Sequence, residues 1–180
     1  GEGLKLAEGA GAELVGLSDI QLHPCGTPGT GLMEDIRTSG RNRIFVNKNG
    51  ERFVNEDMSR ISDQPTRGGI NRSKIVEGQG AVYSIMGSGL LEYYKQNKVD
   101  AESFYGDGQD EHVFDLDADL EEYADNENIF VADTIEELAE KIGVPKDALA
   151  QTVATYDADA AAGVDSAFAK DPQYLVPMGD

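Results

Sequence analysis

The sequence has little that would support a disulfide-bonded, membrane-spanning or nucleic-acid-binding protein. Its one cysteine, Cys25, excludes an intrachain disulfide and a cysteine-rich zinc site. No apolar run approaches the roughly 18 residues that a membrane helix requires. Lysine and arginine total 15 against 34 acidic residues, a net charge of -19. This excess argues against nucleic acid or an anionic membrane surface as a partner. The 180 residues suffice for a domain with a substantial core.

Known catalytic and phosphate-binding motifs are also missing. The chain begins Gly1-Glu2-Gly3, without an initiating methionine, a signal peptide or the third glycine of a dinucleotide fingerprint. It has no P-loop, no G-x-S-x-G and no H-E-x-x-H, and its two histidines have no metal-ligand partner at useful spacing. We therefore expect a piece of a longer protein, soluble and without a metal site. Its compartment stays open, an extracytoplasmic location in a bacterium included.

The positive charge that is present is concentrated in one segment. All the arginines lie between Arg37 and Arg72. Guanidinium groups bind carboxylate and phosphate through two parallel hydrogen bonds, so this clustering favours a small anionic ligand near the segment. Ordinary surface ion pairs are the alternative interpretation.

Acidic residues are concentrated in residues 107–127, which contain no lysine or arginine. A calcium loop counted from Asp115 would need glycine at Leu120 and glutamate at Asn126. We interpret the stretch as a solvated loop and short helix, with a weak cation site as the alternative.

Hydrophobic patterns predict an α+β fold with a small mixed sheet, a central β-hairpin and several helices. The hairpin is predicted over residues 44–55, where Lys48-Asn49-Gly50 supplies a tight turn. Further strands are predicted at Ala81–Met86 and Ile129–Ala132. Helices are predicted at four places: before Gly11, over Gly89–Lys98, from a capping box at Thr134 to Gly143, and after Pro145 with Leu149, Val153 and Tyr156 on one face.

An ordered series of short elements points to a family. The series is Gly1-Glu2-Gly3, then Gln21-Leu22-His23-Pro24, then Met33-Glu34-Asp35-Ile36-Arg37, then Val46-Asn47-Lys48-Asn49-Gly50-Glu51-Arg52-Phe53-Val54-Asn55-Glu56, and then Arg60. It resembles the flavoprotein family of soluble fumarate reductases and urocanate reductases. The signature V-N-x-x-G-x-R-F-V-N-E followed by an arginine is the most specific match. Succinate dehydrogenase and the ketosteroid dehydrogenases are more distant kin.

The resemblance implies a domain organisation. In this family a Rossmann-type FAD-binding domain is interrupted by a capping domain that covers the substrate. Residues 1–22 would lead in from the FAD-binding domain, residues 23–175 would form the capping domain, and residues 176–180 would start the return. FAD would then be bound largely outside this chain, which alone would be inactive. Haem or FMN in further domains is compatible with the family, and the electron donor is not identified.

The resemblance also implies a reaction and its residues. Hydride from N5 of reduced FAD would add to one carbon of the C=C of a fumarate-like or other small anionic 2-enoate. Arg60 would donate the proton to the neighbouring carbon and stabilise the developing negative charge. Glu34 and Arg37 match the relay that returns a proton to that arginine. His23 matches a ligand of the substrate carboxylate, Met33 and Glu34 fall at substrate-binding positions, and Glu2 matches an acidic residue that contacts FAD.

The sequence departs from the family pattern at Met33, where the fumarate reductases have a threonine that binds a substrate carboxylate. Methionine cannot donate that hydrogen bond, so a larger or less polar enoate fits better. Ile61 stands where aspartate often follows the proton donor. Two other readings stay open: a relative that oxidises succinate, aspartate or a ketosteroid, and a non-catalytic acidic binding module.

Overall fold

The computed structural model describes residues 2–17, 42–56, 82–97, 121 and 127–179. In chain order the elements are α1 (Glu2–Gly9), β1 (Ile44–Val46), β2 (Tyr83–Ile85), α2 (Ser88–Asn97), α3 (Ile135–Ile142), α4 (Lys146–Ala162) and a 3-10 helix (Pro172–Tyr174). Within these ranges the two strands form one antiparallel sheet, with Ile44 opposite Ile85 and Val46 opposite Tyr83. The mixture of helices and a small sheet agrees with the predicted α+β class, and the observed sheet is antiparallel.

The predicted capped helix is α3. The Thr134 hydroxyl accepts the backbone N–H of Glu137 at 3.1 Å, and the Glu137 carboxylate in turn accepts the N–H of Asp133 at 3.2 Å. The helix ends at Gly143, which adopts the left-handed conformation. These side-chain bonds satisfy donors that the first helical turn leaves unpaired, which explains why the sequence located this helix so well.

Helix α4 forms one wall of the hydrophobic core, as the sequence predicted. Its residues Leu149, Val153 and Tyr156 are buried. They pack against the sheet, against α3 and against the segment that follows the 3-10 helix. The buried members of this core are Ile44, Val46, Ile85, Ala139, Ile142, Val144, Leu149, Val153, Tyr156, Leu175 and Met178.

The predicted tight turn after β1 is present. Asn47 closes it, because its side-chain oxygen accepts the N–H groups of Asn49 at 2.8 Å and Glu51 at 3.1 Å. Gly50 has φ +74°, and a side chain there would press on the backbone of Leu149. The predicted second arm, however, pairs with β1 only through an isolated bridge between Val46 and Arg52. The main partner of β1 is β2, because the chain beyond the turn bends away towards buried polar contacts.

The strand predicted at Ile129–Ala132 is wrong, since these residues form neither helix nor strand. Phe130 and Val131 are exposed. The Val131 carbonyl oxygen accepts a hydrogen bond from Lys141 Nζ at 2.6 Å rather than from a neighbouring strand. A short apolar run alone does not form a strand unless a sheet edge is available to pair with it.

The start of α2 lies unusually close to the end of the described chain. The N–H of Gly89 donates to the carbonyl oxygen of Met178 at 2.6 Å. A Cβ on Gly87 would overlap that same carbonyl group, and Met178 itself is buried. The packed unit therefore continues through Met178, and glycine at position 87 permits this approach of two backbones.

We expect Gly87→Ala to destabilise the chain by about 1–3 kcal/mol, because a backbone carbonyl must move to admit the new methyl group. Urea unfolding followed by circular dichroism measures the effect. The control is Gly3→Ala in α1, where a Cβ meets nothing within 4 Å. Equal stability of the two variants would contradict the close approach.

Helix α1 contributes nothing to the core, since none of its residues is buried. Within the described ranges, no helix combines the length and the apolar character needed to cross a membrane. The acidic stretch 107–127 lies outside the described residues except for Glu121 and Glu127.

Candidate functional site

Most of the residues assigned to the site from the sequence lie outside the described residues. These are His23, Met33, Glu34, Arg37 and Arg60. Glu2 is described: it is exposed and begins α1. The described structure therefore leaves the roles of these six residues as predictions, and it informs them through the residues that lead up to Arg60.

Those residues belong to a buried charge cluster that consists of Arg52, Glu56, Asp165 and Lys170. Two of its members come from the family signature, and the other two come from the segment after α4, more than 100 residues later in the chain. The side chains of Glu56, Asp165 and Lys170 have no exposed surface, and that of Arg52 is 6% exposed. Charged groups this deeply buried must be paired to be tolerated.

Arg52 is the centre of the buried charge cluster. Its guanidinium donates to Glu56 through Nε at 3.0 Å and Nη2 at 2.8 Å. It donates to Asp165 through Nη1 at 3.2 Å and Nη2 at 2.9 Å. Two bidentate contacts engage every nitrogen of the guanidinium, so this arginine is committed to protein carboxylates. For Arg52, the predicted role of the arginine cluster in binding an anionic ligand is wrong.

Two aromatic rings flank the same guanidinium. The Arg52 Cζ lies 5.1 Å from the ring centroid of Tyr156 and 5.0 Å from that of Phe168. The Asn55 amide donates to the Phe168 carbonyl oxygen at 3.1 Å, which fixes the second ring. Cation–π contacts in such a desolvated place add to the ion pairs and hold the plane of the guanidinium.

Lys170 joins the cluster to β1 and α4. Its ammonium lies 3.3 Å from Glu56 and donates to the Arg43 carbonyl oxygen at 2.7 Å and to the Tyr156 hydroxyl at 3.4 Å. The Tyr156 hydroxyl donates in turn to the Tyr174 carbonyl oxygen at 3.4 Å. The cluster thus contains two positive and two negative charges, so it is electrically balanced.

The pKa values of the cluster reflect burial opposed by pairing. Burial alone would lower the pKa of Arg52, yet its hydrogen bonds to Glu56 and Asp165 outweigh burial and raise it. For Lys170 burial prevails and lowers the pKa although Glu56 opposes this. Burial and the charge of Glu56 raise the pKa of Tyr156. Burial would raise the pKa of Asp165, but the hydrogen bonds and charge of Arg52 lower it from 3.8 to about 2.

The low pKa of Asp165 predicts an acid-sensitive share of stability. A carboxyl whose pKa is depressed by folding stabilises the native state above its unfolded value of 3.8, and that share is lost as the pH falls through about 2. We therefore expect Asp165→Asn to flatten the dependence of the unfolding free energy on pH between about 4 and about 2. Urea titrations across this range measure it, with Asp133→Asn at an exposed position as the control. An unchanged slope in Asp165→Asn would contradict the pairing.

Chemically, the cluster is a structural junction and not a reaction centre. All four charges face each other, and the described residues contain no group of three or more His, Cys, Asp or Glu side chains placed to bind a metal ion. What the cluster does is fix the end of the signature. Glu56 is the last residue described before the segment that carries Arg60.

Comparison with known proteins places the chain in a family. A family model described as an FAD binding domain matches residues 1–178. The chain belongs to this FAD-binding family. The resemblance inferred from the signature is thereby confirmed at the level of an FAD-dependent flavoprotein oxidoreductase.

Three relatives illustrate the family. The chain is 34% identical over 171 residues to the NADH:acrylate oxidoreductase of Vibrio harveyi, a match that covers 94% of the chain and 14% of that protein. It is 28% identical over 192 residues to the vinyl phenol reductase of Lactiplantibacillus plantarum, covering 99% of the chain and 37% of that protein. It is 42% identical over 60 residues to a fumarate reductase (cytochrome) of Shewanella frigidimarina, covering 33% of the chain and 10% of that protein. The chain thus spans well under half the length of each.

Sequence reasoning missed the cluster as a physical unit. Arg52 and Glu56 were visible as letters of the signature, and their separation of four residues was a usable signal for an ion pair. Asp165 and Lys170 gave no signal, because they lie in a segment without periodicity and more than 100 residues away from their partners.

Proposed function

We propose that this chain is the substrate-capping part of an FAD-dependent reductase that saturates the C=C bond of a small 2-enoate. The observation that carries the proposal is the position of Arg60. It follows the family signature by four residues, and the last residue of that signature, Glu56, is held in the buried charge cluster. A proton donor must be placed to within fractions of an ångström, and a rigid approach of this kind suits one.

In the proposed organisation, residues 1–22 connect from the FAD-binding domain, residues 23–175 form the capping domain, and residues 176–180 begin the return. Two features support it. Helix α1 has no buried residue in the packed unit formed by the other elements, and Val176 and Met178 are packed where the return begins. The isolated chain is then expected to be inactive.

The proposed chemistry divides the work between the cofactor and this chain. FAD, when bound, supplies the hydride. The exposed carboxylate of Glu2 is suited to accept hydrogen bonds from hydroxyl groups of the cofactor. Arg60 donates the proton from the opposite side and keeps a positive charge near the developing anion. Glu34 and Arg37 return the proton, and His23 holds the substrate carboxylate.

Met33 narrows the substrate to an enoate with a single carboxylate. A thioether offers no hydrogen bond to a second carboxylate, and an anion left unpaired in a site is strongly disfavoured. Two of the relatives are named for acrylate and vinyl phenol, neither of which has a second carboxylate. Acrylate is therefore the first substrate to test and fumarate the comparison.

Met33→Thr in the full-length flavoprotein is expected to raise kcat/KM for fumarate relative to acrylate. One hydrogen bond to a charged group is worth about 1.5–3 kcal/mol, or roughly 10- to 100-fold. Steady-state reduction with a chemically reduced viologen as electron source measures both substrates. Met33→Leu is the control, because it keeps an apolar side chain without a hydroxyl. If the wild type reduces fumarate better than acrylate, the assignment of Met33 fails; if it reduces neither, nor other enoates, the proposed function fails.

A further inference from the structure

We propose that Glu56 is a positioning residue for Arg60, so that the buried charge cluster sets the rate of proton donation as well as the stability of the fold. This inference rests on the proposed function, in which Arg60 is the acid. It adds a role for a residue that touches neither substrate nor cofactor in that proposal.

Glu56 is fixed from three sides. One carboxylate oxygen accepts the N–H of Phe45 in β1 at 3.1 Å. The same oxygen accepts Arg52 Nε, while the other accepts Arg52 Nη2 and lies 3.3 Å from Lys170 Nζ. These donors belong to the strand, to the arm after the turn and to the segment after α4. A side chain held by three separate parts of the fold cannot shift without disturbing all of them.

The chain connects Glu56 to Arg60 through only four peptide links. Even fully extended, such a segment spans at most about 14 Å. Glu56 therefore determines where this segment begins, and the position of the Arg60 backbone is restricted accordingly. A misplacement of about 1 Å at a reacting group can cost roughly 100-fold in rate.

Asp165 supplies a matched comparison within the same cluster. Like Glu56 it makes a bidentate contact with Arg52, and its side chain is equally buried. It also accepts the N–H groups of Ala167 and Phe168, which lie in its own segment. That segment leads to Lys170 and not to Arg60. Removing either carboxylate deprives the same arginine of one partner, but only Glu56 adjoins the catalytic segment.

The test compares Glu56→Gln, Asp165→Asn and Arg60→Ala in the full-length flavoprotein, with acrylate as substrate and FAD content and unfolding transition recorded for each. The glutamine introduced by Glu56→Gln offers one acceptor oxygen where Arg52 needs two, so the contact must change. We expect Glu56→Gln to lower kcat by about 10- to 100-fold with KM little changed. Asp165→Asn is expected to lose similar stability but to keep kcat within a few-fold of wild type.

A fourth variant covers the case in which Glu56→Gln does not fold. Glu56→Gln combined with Lys170→Met removes one charge of each sign and keeps the cluster neutral, and it is expected to bind FAD normally with kcat still reduced. Recovery of wild-type kcat in this variant would overturn the inference, because charge balance alone would then explain the effect. Equal kcat in Glu56→Gln and Asp165→Asn would also overturn it. Turnover that persists in Arg60→Ala would instead refute the proposed function itself.

Discussion

Arg60→Ala in the full-length flavoprotein is expected to abolish measurable enoate reduction while FAD content stays normal. The alanine removes the proton donor and the positive charge together. General-acid catalysis is typically worth about 10²–10⁴-fold, and loss of electrostatic stabilisation adds a comparable factor. Steady-state turnover with a reduced viologen as the electron source measures the loss, and the flavin absorbance of each preparation measures cofactor content.

Graded variants make the Arg60 experiment specific. Arg60→Lys keeps a positive charge but loses the planar fork and shortens the reach, so it should recover only part of the activity. Arg37→Ala and Glu34→Gln should slow turnover less than Arg60→Ala, because water can partly replace a relay. If Arg60→Ala retained more than about a tenth of wild-type turnover, outside the general-acid range, another group would be the acid.

Arg52→Met is expected to give the largest loss of stability. The substitution leaves Glu56 and Asp165 buried with Lys170 as their one remaining cationic partner in the cluster. Breaking a buried ion pair by removing one partner typically costs about 3–5 kcal/mol. For a domain of this size that corresponds to a fall in Tm of roughly 10 °C. Calorimetry or circular dichroism on the chain measures the shift.

A matched control separates the buried cluster from ordinary ion pairs. Lys146 and Glu140 form a salt bridge at 2.7 Å in which both side chains are more than half exposed. Exposed pairs contribute little to stability, so Lys146→Met should leave Tm nearly unchanged. Arg52→Lys should fall between the two, because it keeps the charge but not the bidentate geometry. A Tm for Arg52→Met equal to that of Lys146→Met would show that the cluster is not a stabilising junction.

Local signals in the sequence predicted the parts of the fold that local chemistry determines. The capping box at Thr134 gave α3, the spacing of Leu149, Val153 and Tyr156 gave the buried face of α4, and Asn49-Gly50 gave the turn. In each case the stabilising contacts lie within about one helical turn or one tight turn, so adjacent residues suffice to specify the structure.

Long-range pairing could not be predicted in this way. Nothing in residues 44–46 indicates that their main partner is residues 83–85, because alternation specifies a face and not a neighbour. For the same reason the apolar run at Ile129–Ala132 was mistaken for a strand. The candidate site divides similarly: Arg52 and Glu56 stood out as members of the signature, whereas Asp165 and Lys170 became recognisable only through the contacts that the fold creates.

The most direct measurement of the central claim is a single turnover of the full-length flavoprotein. The FAD is reduced without oxygen, the enzyme is mixed with acrylate, and the return of the oxidised flavin absorbance is followed in time. The account predicts rapid reoxidation in the wild type and flavin that stays reduced in Arg60→Ala, although that variant still binds the enoate. Reoxidation of Arg60→Ala at the wild-type rate would contradict the assignment of Arg60 as the proton donor.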